Sequence, residues 1–261
     1  MPVEVVKSVV LHYTNKWKMV DTKAGIPMSQ APDTAAVIVA AGSASRMGQN
    51  KQLMQLSGSS VIVRTLCAFE RCKDIAELIV VARTEDIGEI VRLAGQYGIV
   101  KLKAVVPGGA DRRESVACGI REVSDSLSYV AIHDGARPFI LPALISRCIA
   151  DAREYGASTL AVQVKDTIKV AKNGFIISTP DRETLWLCQT PQVFSLALYQ
   201  KACKAAGAAQ VTDDCTLVEQ LGHRVHLTPG DYRNIKITTP EDITVANAIA
   251  QDGEFRMEEG D

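Results

Sequence analysis

A run of small residues near the start of the chain is followed by two cations: Ala40, Ala41 and Gly42 come first, and Arg46 and Lys51 come after. Small side chains allow backbone N–H groups to approach a ligand closely, and such groups suit phosphate oxygens. The two cations would add fixed positive charge beside them. The stretch predicts a phosphate-binding loop, and the alternative is a tight turn with solvated cations.

Two familiar phosphate motifs do not fit this stretch. A Walker loop requires a second glycine five residues after Gly42, where Met47 stands. A dinucleotide fingerprint requires glycine where Ala44 and Met47 stand. The sequence therefore supports neither a P-loop nor a nicotinamide site.

A second loop of small residues, PGGADRRES, occupies residues 107–115. It includes Gly108, Gly109 and Ser115, and it follows an apolar run and leads into a helix predicted to begin near Arg112. If both small-residue loops leave the same edge of a sheet, they would line one crevice. The alternative is a flexible crossover without a ligand.

The stretch AIHDGARPF places a carboxylate directly after another apolar run. Asp134 follows residues 129–132, so it would lie at the end of a strand, where it could help to hold Mg²⁺ or orient a hydroxyl group. Arg137 can offer its planar guanidinium to a phosphate. The alternative for Asp134 is a structural role, capping the next turn.

One lysine near the end of the chain alternates with apolar residues. Lys236 stands between Ile235 and Ile237, a spacing that predicts a strand in which the lysine points away from the apolar face. Its ammonium group would then lie either in solvent or in a site.

The sequence contains no spacing typical of a nucleophile with its base. Serines of the two small-residue loops have no evident partner, and a serine hydroxyl alone is weakly nucleophilic. His223 and His226 are three residues apart in a predicted strand and would face opposite sides, which argues against a shared metal. His133 is predicted to pack beside Asp134 without a catalytic role.

Short apolar runs alternate with helical periods through most of the chain, which is typical of an α/β protein. We expect a mainly parallel twisted sheet with helices on both faces. Carboxyl ends of its strands would meet at one edge and bring the loops and Asp134 together. The predicted strands cover residues 35–41, 78–82, 104–106, 129–132 and 159–164.

Helix boundaries support this order, and one segment departs from it. Pro142 is predicted to open a helix that ends near Gly156, and a capping box at residues 239–242 is predicted to start the last helix. Residues 167–179 instead contain two β-rich runs around Asn173-Gly174, a hairpin signal. We expect this hairpin to project as an arm.

Composition limits the functions to consider. The 261 residues carry 29 basic and 30 acidic side chains, which argues against binding to nucleic acid or to a membrane surface. No apolar stretch suits a membrane span or a secretion signal, so a cytoplasmic location is expected. The seven cysteines are scattered without a C-x-x-C pair and are predicted to be reduced and mostly buried.

Three segments are predicted along the chain. Residues 1–34 form a poorly ordered extension, residues 35–251 a single domain with the arm at about residues 165–190, and residues 252–261 an acidic tail. These boundaries follow from shifts in composition rather than from repeats, which the sequence lacks.

Taken in order, six motifs resemble the 2-C-methyl-D-erythritol 4-phosphate cytidylyltransferase family over residues 35–250. Each is modest alone, but their order and spacing are specific. They are A-A-G-x-x-x-R-M with a following Lys-Gln, G-G-x-x-R-x-x-S-V, H-D-x-A-R-P, K-D-T-I-K, D-R-x-x-L-W-x-x-Q-T-P-Q and N-I-K-I-T-x-P-E-D.

The resemblance implies a Rossmann-like nucleotidyltransferase that joins CTP to 2-C-methyl-D-erythritol 4-phosphate and releases pyrophosphate, with Mg²⁺ or another divalent cation. The residues implied to carry the reaction are Arg46, Lys51, Asp134 and Lys236. Those implied to hold the nucleotide are Ala40, Ala41 and Gly42 on the triphosphate, and Gly108, Gly109 and Ser115 against cytosine and ribose.

For the second substrate, the resemblance implies a pocket lined by Asp134, Arg137, Thr167 and Lys236, with Asp134 also near the metal. It further implies a homodimer, in which the arm carries Arg182 to the substrate phosphate of the partner subunit. The chemistry fits these residue types, because attack of one phosphate on another needs charge neutralisation and alignment rather than a protein nucleophile.

Two positions depart from the family pattern. Ala44 stands where many members carry glycine, and Ala110 where an acidic residue is common; we expect altered affinity with activity retained. Two other functions stay open: a ribitol 5-phosphate cytidylyltransferase, and a non-catalytic nucleotide-binding regulator. The Gly135-Ala136-Arg137-Pro138 sequence favours methylerythritol over ribitol.

Overall fold

A seven-stranded sheet forms the centre of the computed structural model, which describes residues 31–42, 50–206 and 213–255. The N-terminal extension to residue 30, Arg46, Ala44 and most of the acidic tail lie outside the described residues. The described strands are β1 (Thr34–Val39), β2 (Gln55–Leu56), β3 (Ser59–Ser60), β4 (Ile75–Ala82), β5 (Leu102–Pro107), β6 (Tyr129–Asp134), β7 (Ala157–Gln163), β8 (Val170–Lys172), β9 (Phe175–Ser178), β10 (Trp186–Ser195) and β11 (His226–Pro229).

The strand order of the central sheet is β11-β7-β10-β6-β1-β4-β5. β1 runs parallel to β4 and β6, β4 runs parallel to β5, and β11 runs parallel to β7. β10 is antiparallel to both of its neighbours. The prediction of a mainly parallel sheet is confirmed, with β10 as the exception.

Helices cover both faces of this sheet. The described helices are α1 (Val61–Glu70), α2 (Ile87–Gln96), α3 (Arg112–Ile120), α4 (Pro142–Tyr155), α5 (Leu196–Ala205), α6 (Asp214–Glu219) and α7 (Pro240–Ala250). The side chains of β1 alternate between two apolar layers: Ala36 and Ile38 pack in one with α1, α2 and α4, and Ala35 and Val37 pack in the other with α3, α5 and α6. Complete burial of a side chain such as Ile38 stabilises the fold by about 1.5–3 kcal/mol.

The predicted helix boundaries are confirmed by their caps. α4 has Pro142 at its first position and ends at Gly156, whose φ of 84° is left-handed and favours glycine. Thr239 and Asp242 form a capping box at the start of α7. At α3, the Asp111 side chain accepts a hydrogen bond from the Glu114 N–H.

The predicted hairpin at residues 167–179 is present as the antiparallel pair β8 and β9. Its turn uses Asn173 at φ 51° and Gly174 at φ 82°, the positive values that the Asn-Gly signal predicts. Every side chain of the two strands is exposed. The hairpin therefore makes little contact with the rest of the chain.

Two local predictions are wrong. The strand predicted around Lys236 is absent: Ile235 and Lys236 lie in an extended segment whose backbone does not join any sheet. His223 precedes β11 rather than lying in a strand with His226. All seven cysteines are free thiols and four of them are buried, as predicted. None of the helices among the described residues is long and apolar enough to cross a membrane.

Candidate active site

A crevice of about 380 Å³ opens where β1 and β6 end side by side. Val39, the last residue of β1, is paired in register with Asp134, the last residue of β6. From β1 the chain continues to β4 and β5 on one side, while β6 lies on the other. This reversal of direction is where open α/β sheets bind ligands.

Seven of the residues predicted for the site line this crevice. They are Ala41, Gly42, Lys51, Gly109, Ser115, Asp134 and Lys236. Ala40 is buried behind them, and its N–H donates to the Val81 carbonyl at 2.7 Å, which extends the β1 ladder by one residue. Arg46 belongs to the part of the loop outside the described residues, so its place in the crevice stays a prediction.

The two small-residue loops pack directly against each other. A Cβ atom on Gly108 would lie 2.4 Å from the Cβ of Ala41 and 2.9 Å from the Oγ of Ser115, so only glycine fits there. Ser115 holds the second loop in shape, because its Oγ donates to the Asp111 carbonyl at 2.7 Å and accepts from the Gly109 N–H at 3.1 Å. The described start of the first loop and the second loop thus form one continuous wall.

Ala110, one of the two departures from the family pattern, lies in this wall. It lines the crevice, and its N–H donates to the Glu114 carboxylate at 2.9 Å. A carboxylate therefore still lies beside the loop, although it comes from Glu114 and binds backbone. Ala44 lies outside the described residues.

Three cations surround the carboxylate of Asp134. The Nζ of Lys236 lies 2.8 Å from Oδ2, the Nε of Arg137 lies 3.7 Å from Oδ2, and the Nε of Arg112 lies 3.7 Å from Oδ1. Burial by itself raises the pKa of Asp134, but the attraction of Lys236, Arg112 and Arg137 outweighs it and lowers the pKa to about 2. Asp134 is therefore ionised at neutral pH.

Lys236 reaches Asp134 from an extended segment that is tied to the loop after β6. Its neighbour Ile237 donates its N–H to the Ala136 carbonyl at 2.9 Å. Arg137 donates through Nη1 to the Asn234 carbonyl at 2.8 Å. These bonds take the place of the strand pairing that the sequence predicts.

Asn234 anchors the same segment from within the protein. Its side chain is fully buried and donates to the Thr190 carbonyl at 3.0 Å. Since Thr190 lies in β10, this bond fixes the segment to the central sheet. Lys236 is thus held in place by its neighbours, while its side chain stays 38% exposed and lines the crevice.

Arg112 is a site residue that the sequence reasoning did not single out. Its Nη1 lies 2.7 Å from Oδ2 of Asp214, and the same guanidinium faces Asp134. Burial lowers the pKa of Arg112, but Asp214 and Asp134 outweigh burial and raise it. The second glycine motif contains this arginine, yet no sequence pattern links it to Asp214.

Asp214 is a buried anion held on several sides. It is 2% exposed and accepts a hydrogen bond from the Tyr199 hydroxyl at 2.6 Å. Its N–H donates to the Gln192 side chain at 3.0 Å. A buried carboxylate requires such partners, so Asp214 fixes the direction in which Arg112 points.

His133 packs beside Asp134 and is fully buried, as predicted. Burial lowers the pKa of His133 to about 3, so the imidazole is neutral at physiological pH. Its Nδ1 lies 3.0 Å from the Thr190 hydroxyl, which accepts from the Asp134 N–H, and its Nε2 lies 3.3 Å from the Arg137 carbonyl. The ring therefore fixes the backbone on both sides of the turn after β6.

Two predicted residues are not brought to the crevice within one chain. Thr167 and Arg182 lie at the base of the exposed hairpin, and Arg182 donates through Nη1 to the Lys165 carbonyl at 2.9 Å. Neither is among the described residues that line the crevice.

The chemistry available in the crevice is the binding and stabilisation of anions. Lys51, Lys236 and Arg112 line it, and Arg137 lies beside Asp134, so these four cations outnumber the carboxylates Asp111, Asp134 and Asp214. Such an arrangement suits phosphoryl transfer, in which negative charge must be neutralised at fixed positions.

Asp134 also fits a magnesium ligand. Mg²⁺ is commonly bound through one or two carboxylates together with phosphate oxygens of the substrate. An ionised aspartate on the wall of a crevice lined by cations and small-residue loops meets the protein's part of that requirement. The donor set of this chain is therefore compatible with the divalent cation that the sequence reasoning predicts.

Comparison with known proteins gives one consistent family. The family model described as 2-C-methyl-D-erythritol 4-phosphate cytidylyltransferase matches residues 34–252. A curated protein of that name from Geobacter metallireducens is 41% identical to this chain over 225 residues. The match covers 83% of this chain and 97% of the relative. The one from Desulforamulus reducens is 46% identical over 221 residues, covering 82% and 94%.

Solved structures agree with this result. A 4-diphosphocytidyl-2C-methyl-D-erythritol synthase from Anaerococcus prevotii is 32% identical with a TM-score of 0.77, and the match covers 85% of this chain and all of that one. A 2-C-methyl-D-erythritol 4-phosphate cytidylyltransferase from Thermus thermophilus is 31% identical with a TM-score of 0.67, covering 82% and 97%.

Proposed function

This chain belongs to the 2-C-methyl-D-erythritol 4-phosphate cytidylyltransferase family, and we propose that it acts in the crevice at the carboxyl ends of β1 and β6. The chain transfers CMP from CTP to 2-C-methyl-D-erythritol 4-phosphate, giving 4-diphosphocytidyl-2-C-methyl-D-erythritol and pyrophosphate. The observation that carries the site assignment is the group of cations around Asp134, next to two loops of small residues.

In the proposed reaction, a phosphate oxygen of methylerythritol phosphate attacks the α-phosphorus of CTP in line with the leaving group. A new P–O bond forms, the bond between the α- and β-phosphates breaks, and its electron pair leaves with pyrophosphate. No protein nucleophile is required, so the protein contributes alignment and charge neutralisation. Lys51, together with Arg46, is assigned to the triphosphate and the departing pyrophosphate.

Lys236 and Arg137 are assigned to the phosphate of the second substrate. Lys236 is held 2.8 Å from Asp134 and is 38% exposed, so its ammonium group can also face a ligand in the crevice. Arg112 is assigned a positioning role, because its ion pair with the buried Asp214 keeps it directed toward Asp134. The cations are thus oriented before substrate enters.

Mg²⁺ belongs to this proposal, with Asp134 as its ligand from the protein. When bound, the ion would neutralise charge on the triphosphate and assist the departure of pyrophosphate. Asp134 is suited to this role because its low pKa keeps it anionic at neutral pH.

The nucleotide is assigned to the wall formed by the two loops. Gly109 lines the crevice, and Gly108 allows the two loops to approach each other, so cytosine and ribose are assigned to this wall. Ser115 supports them by fixing the shape of the loop, since its hydroxyl already bonds backbone on both sides. The cytoplasmic location expected from the sequence is also part of the proposal.

A homodimer is proposed from the hairpin. Phe175, Ile176 and Ile177 are 77%, 64% and 61% exposed, an apolar group that a second subunit would cover. Arg182 and Thr167 lie at the base of this hairpin, so an arm crossing to the partner subunit would carry them to the partner's crevice. This arrangement accounts for their distance from the crevice of their own chain.

Mixing two inactive variants tests the exchange of arms. Arg182→Ala and Lys236→Met proteins are unfolded and refolded together. If Arg182 acts in the partner's site, each mixed dimer contains one intact site of two. Random pairing makes about half of the dimers mixed, so the refolded mixture should recover about a quarter of the wild-type activity. Activity no higher than that of the separate variants would show that the arm does not act across the dimer.

The substrate is tested by pyrophosphate release from CTP with Mg²⁺ in the presence of methylerythritol 4-phosphate, ribitol 5-phosphate or no acceptor. Turnover with the methylerythritol compound alone is the expected result. Turnover with ribitol 5-phosphate would move the assignment to that sister activity. Binding of CTP without pyrophosphate release under any condition would favour a regulator.

A further inference from the structure

Two thiols and a carboxylate meet beside Asp214, since two of the three residues are its neighbours in the sequence. The Sγ atoms of Cys188 and Cys215 and a carboxylate oxygen of Asp213 all lie within 4.8 Å of one another. We propose that Cys188, Asp213 and Cys215 form a binding site for a thiophilic divalent cation, with zinc as the preferred ion. The site would be separate from the magnesium ligand proposed in the crevice.

The spacing of the ligand atoms suits tetrahedral zinc. Zn–S bonds of about 2.3 Å and Zn–O bonds of about 2.1 Å place two tetrahedral ligands about 3.6–3.8 Å apart. The Sγ of Cys188 lies 3.7 Å from Oδ2 of Asp213. Only small rotations of the side chains are therefore needed to bind the ion.

Asp213 is oriented by the helix that follows it. Its Oδ1 caps α6 by accepting from the Thr216 N–H at 3.0 Å and the Thr216 hydroxyl at 2.7 Å. Its Oδ2 remains on the other side, facing Cys188 and the Gln192 amide group, which donates to it at 3.0 Å. One oxygen thus fixes the residue while the other faces the proposed ion.

Cys188 is oriented in a similar way by neutral neighbours. The Gln192 amide group lies 3.1 Å from its Sγ, and the Thr159 hydroxyl lies 3.2 Å from it. Neither neighbour carries a net charge, and the Gln192 amide group, which now donates to both Cys188 and Asp213, would turn aside when the ion binds. Two thiolates and a carboxylate provide the soft, anionic ligand set that zinc favours.

The site is accessible from one side. Cys188 is exposed, Asp213 is half-buried and Cys215 is 5% exposed, so an ion would enter past Cys188 and leave one coordination position for solvent. Three protein ligands with one open position is a common form of zinc coordination.

The position of the cluster links it to the crevice. Asp214, the residue between two of the proposed ligands, is the buried partner of Arg112. An ion bound to Asp213 and Cys215 would hold the first turn of α6 in place, and with it the carboxylate that directs Arg112. We expect zinc to raise the melting temperature of the protein.

The experiment uses the full chain, reduced and stripped of metal with a chelator, and measures zinc binding in competition with a chromophoric chelator. One zinc ion per chain is expected, and Cys188→Ser should weaken its binding by about tenfold or more. Cys118→Ser, a change in a half-buried thiol of α3, is the matched control and should bind as the wild type does. Cadmium used as a probe should give thiolate-to-metal charge-transfer absorption in wild type and control, and much less in Cys188→Ser.

Equal zinc affinity in wild type and Cys188→Ser would overturn the proposal, because the metal would then be held elsewhere. Asp213→Asn provides a second variant that leaves both thiols in place, and it should weaken zinc binding while both thiols still react with a thiol reagent. If mild oxidation by glutathione disulfide instead consumes two thiols per chain and zinc does not protect them, the pair is a disulfide site rather than a metal site.

Discussion

Replacing Lys236 with methionine removes a charge from the crevice while keeping a side chain of similar length. The Nζ of Lys236 lies 2.8 Å from Asp134, and a unit charge about 4 Å from a phosphate oxygen is worth about 4 kcal/mol at an effective dielectric constant of about 20. Loss of one preorganised donor costs about 2.7–4 kcal/mol of transition-state stabilisation. We therefore expect kcat to fall about 10²- to 10³-fold.

The assay for Lys236→Met is the initial rate of pyrophosphate release with both substrates saturating, alongside thermal melting. Lys103→Met is the matched control, because Lys103 is 39% exposed compared with 38% for Lys236 and also pairs with a carboxylate, Glu77 at 3.4 Å. The control should keep its kcat. A Lys236→Met protein that melts like wild type and keeps kcat within about threefold would refute the assignment of this lysine to the transition state.

Three other changes test separate parts of the structure. Lys51→Met should lower kcat by about 10² in the same assay if this cation stabilises the leaving pyrophosphate, and an unchanged kcat would remove it from the mechanism. Gly108→Ala should lower the free energy of unfolding by about 1–3 kcal/mol in denaturant titrations, because the new Cβ would lie 2.4 Å from the Cβ of Ala41. Gly95→Ala is the control: its Cβ would meet open space, so the variant should not be destabilised. His133 has its pKa lowered by burial to about 3, so its contribution to stability is present above the unfolded-state pKa of about 6.5 and is lost as pH falls toward 3. Between pH 7.5 and 5 the wild type should therefore lose about 2 kcal/mol more unfolding free energy than His133→Gln, and parallel pH profiles of the two proteins would contradict this.

The fold was predictable because its signals are local. The apolar run of β1 is buried on both faces, so it is continuous in the sequence, and helix caps such as those at Gly156 and Thr239 lie within a few residues of the boundaries they set. Parallel strands then bring their carboxyl ends to one edge by geometry alone. For that reason the sequence alone assigns Asp134 and the two loops to one crevice.

The approach of Lys236 to Asp134 was predictable only in part. The alternation of Lys236 with two isoleucines predicts that the lysine points away from their apolar face. In the structure Lys236 lines the crevice, while the isoleucines pack in an apolar cluster. The pattern does not indicate that the segment lacks a strand partner, because alternation describes side-chain direction and carries no information on hydrogen-bond partners. Those partners are Ala136 and Arg137 in the loop after β6, which the segment reaches only after folding.

The pairing of Arg112 with Asp214 had no sequence signal at all. The two residues are far apart in the chain, and each stands in a stretch where it has a simpler local explanation: one in the first turn of α3, the other in the first turn of α6. Their ion pair depends on how those two helices pack on the same face of the sheet. Contacts of this kind are determined by tertiary packing, which no local pattern encodes.

The carboxylate at the centre of the site resolves an electrostatic difficulty. Lys236, Arg112 and Arg137 would repel one another if no anion lay between them. Asp134 attracts all three, and its low pKa shows that their attraction exceeds the cost of its burial. The cations are therefore already collected when an anionic substrate arrives, and the reaction needs little reorganisation to neutralise the charge that develops.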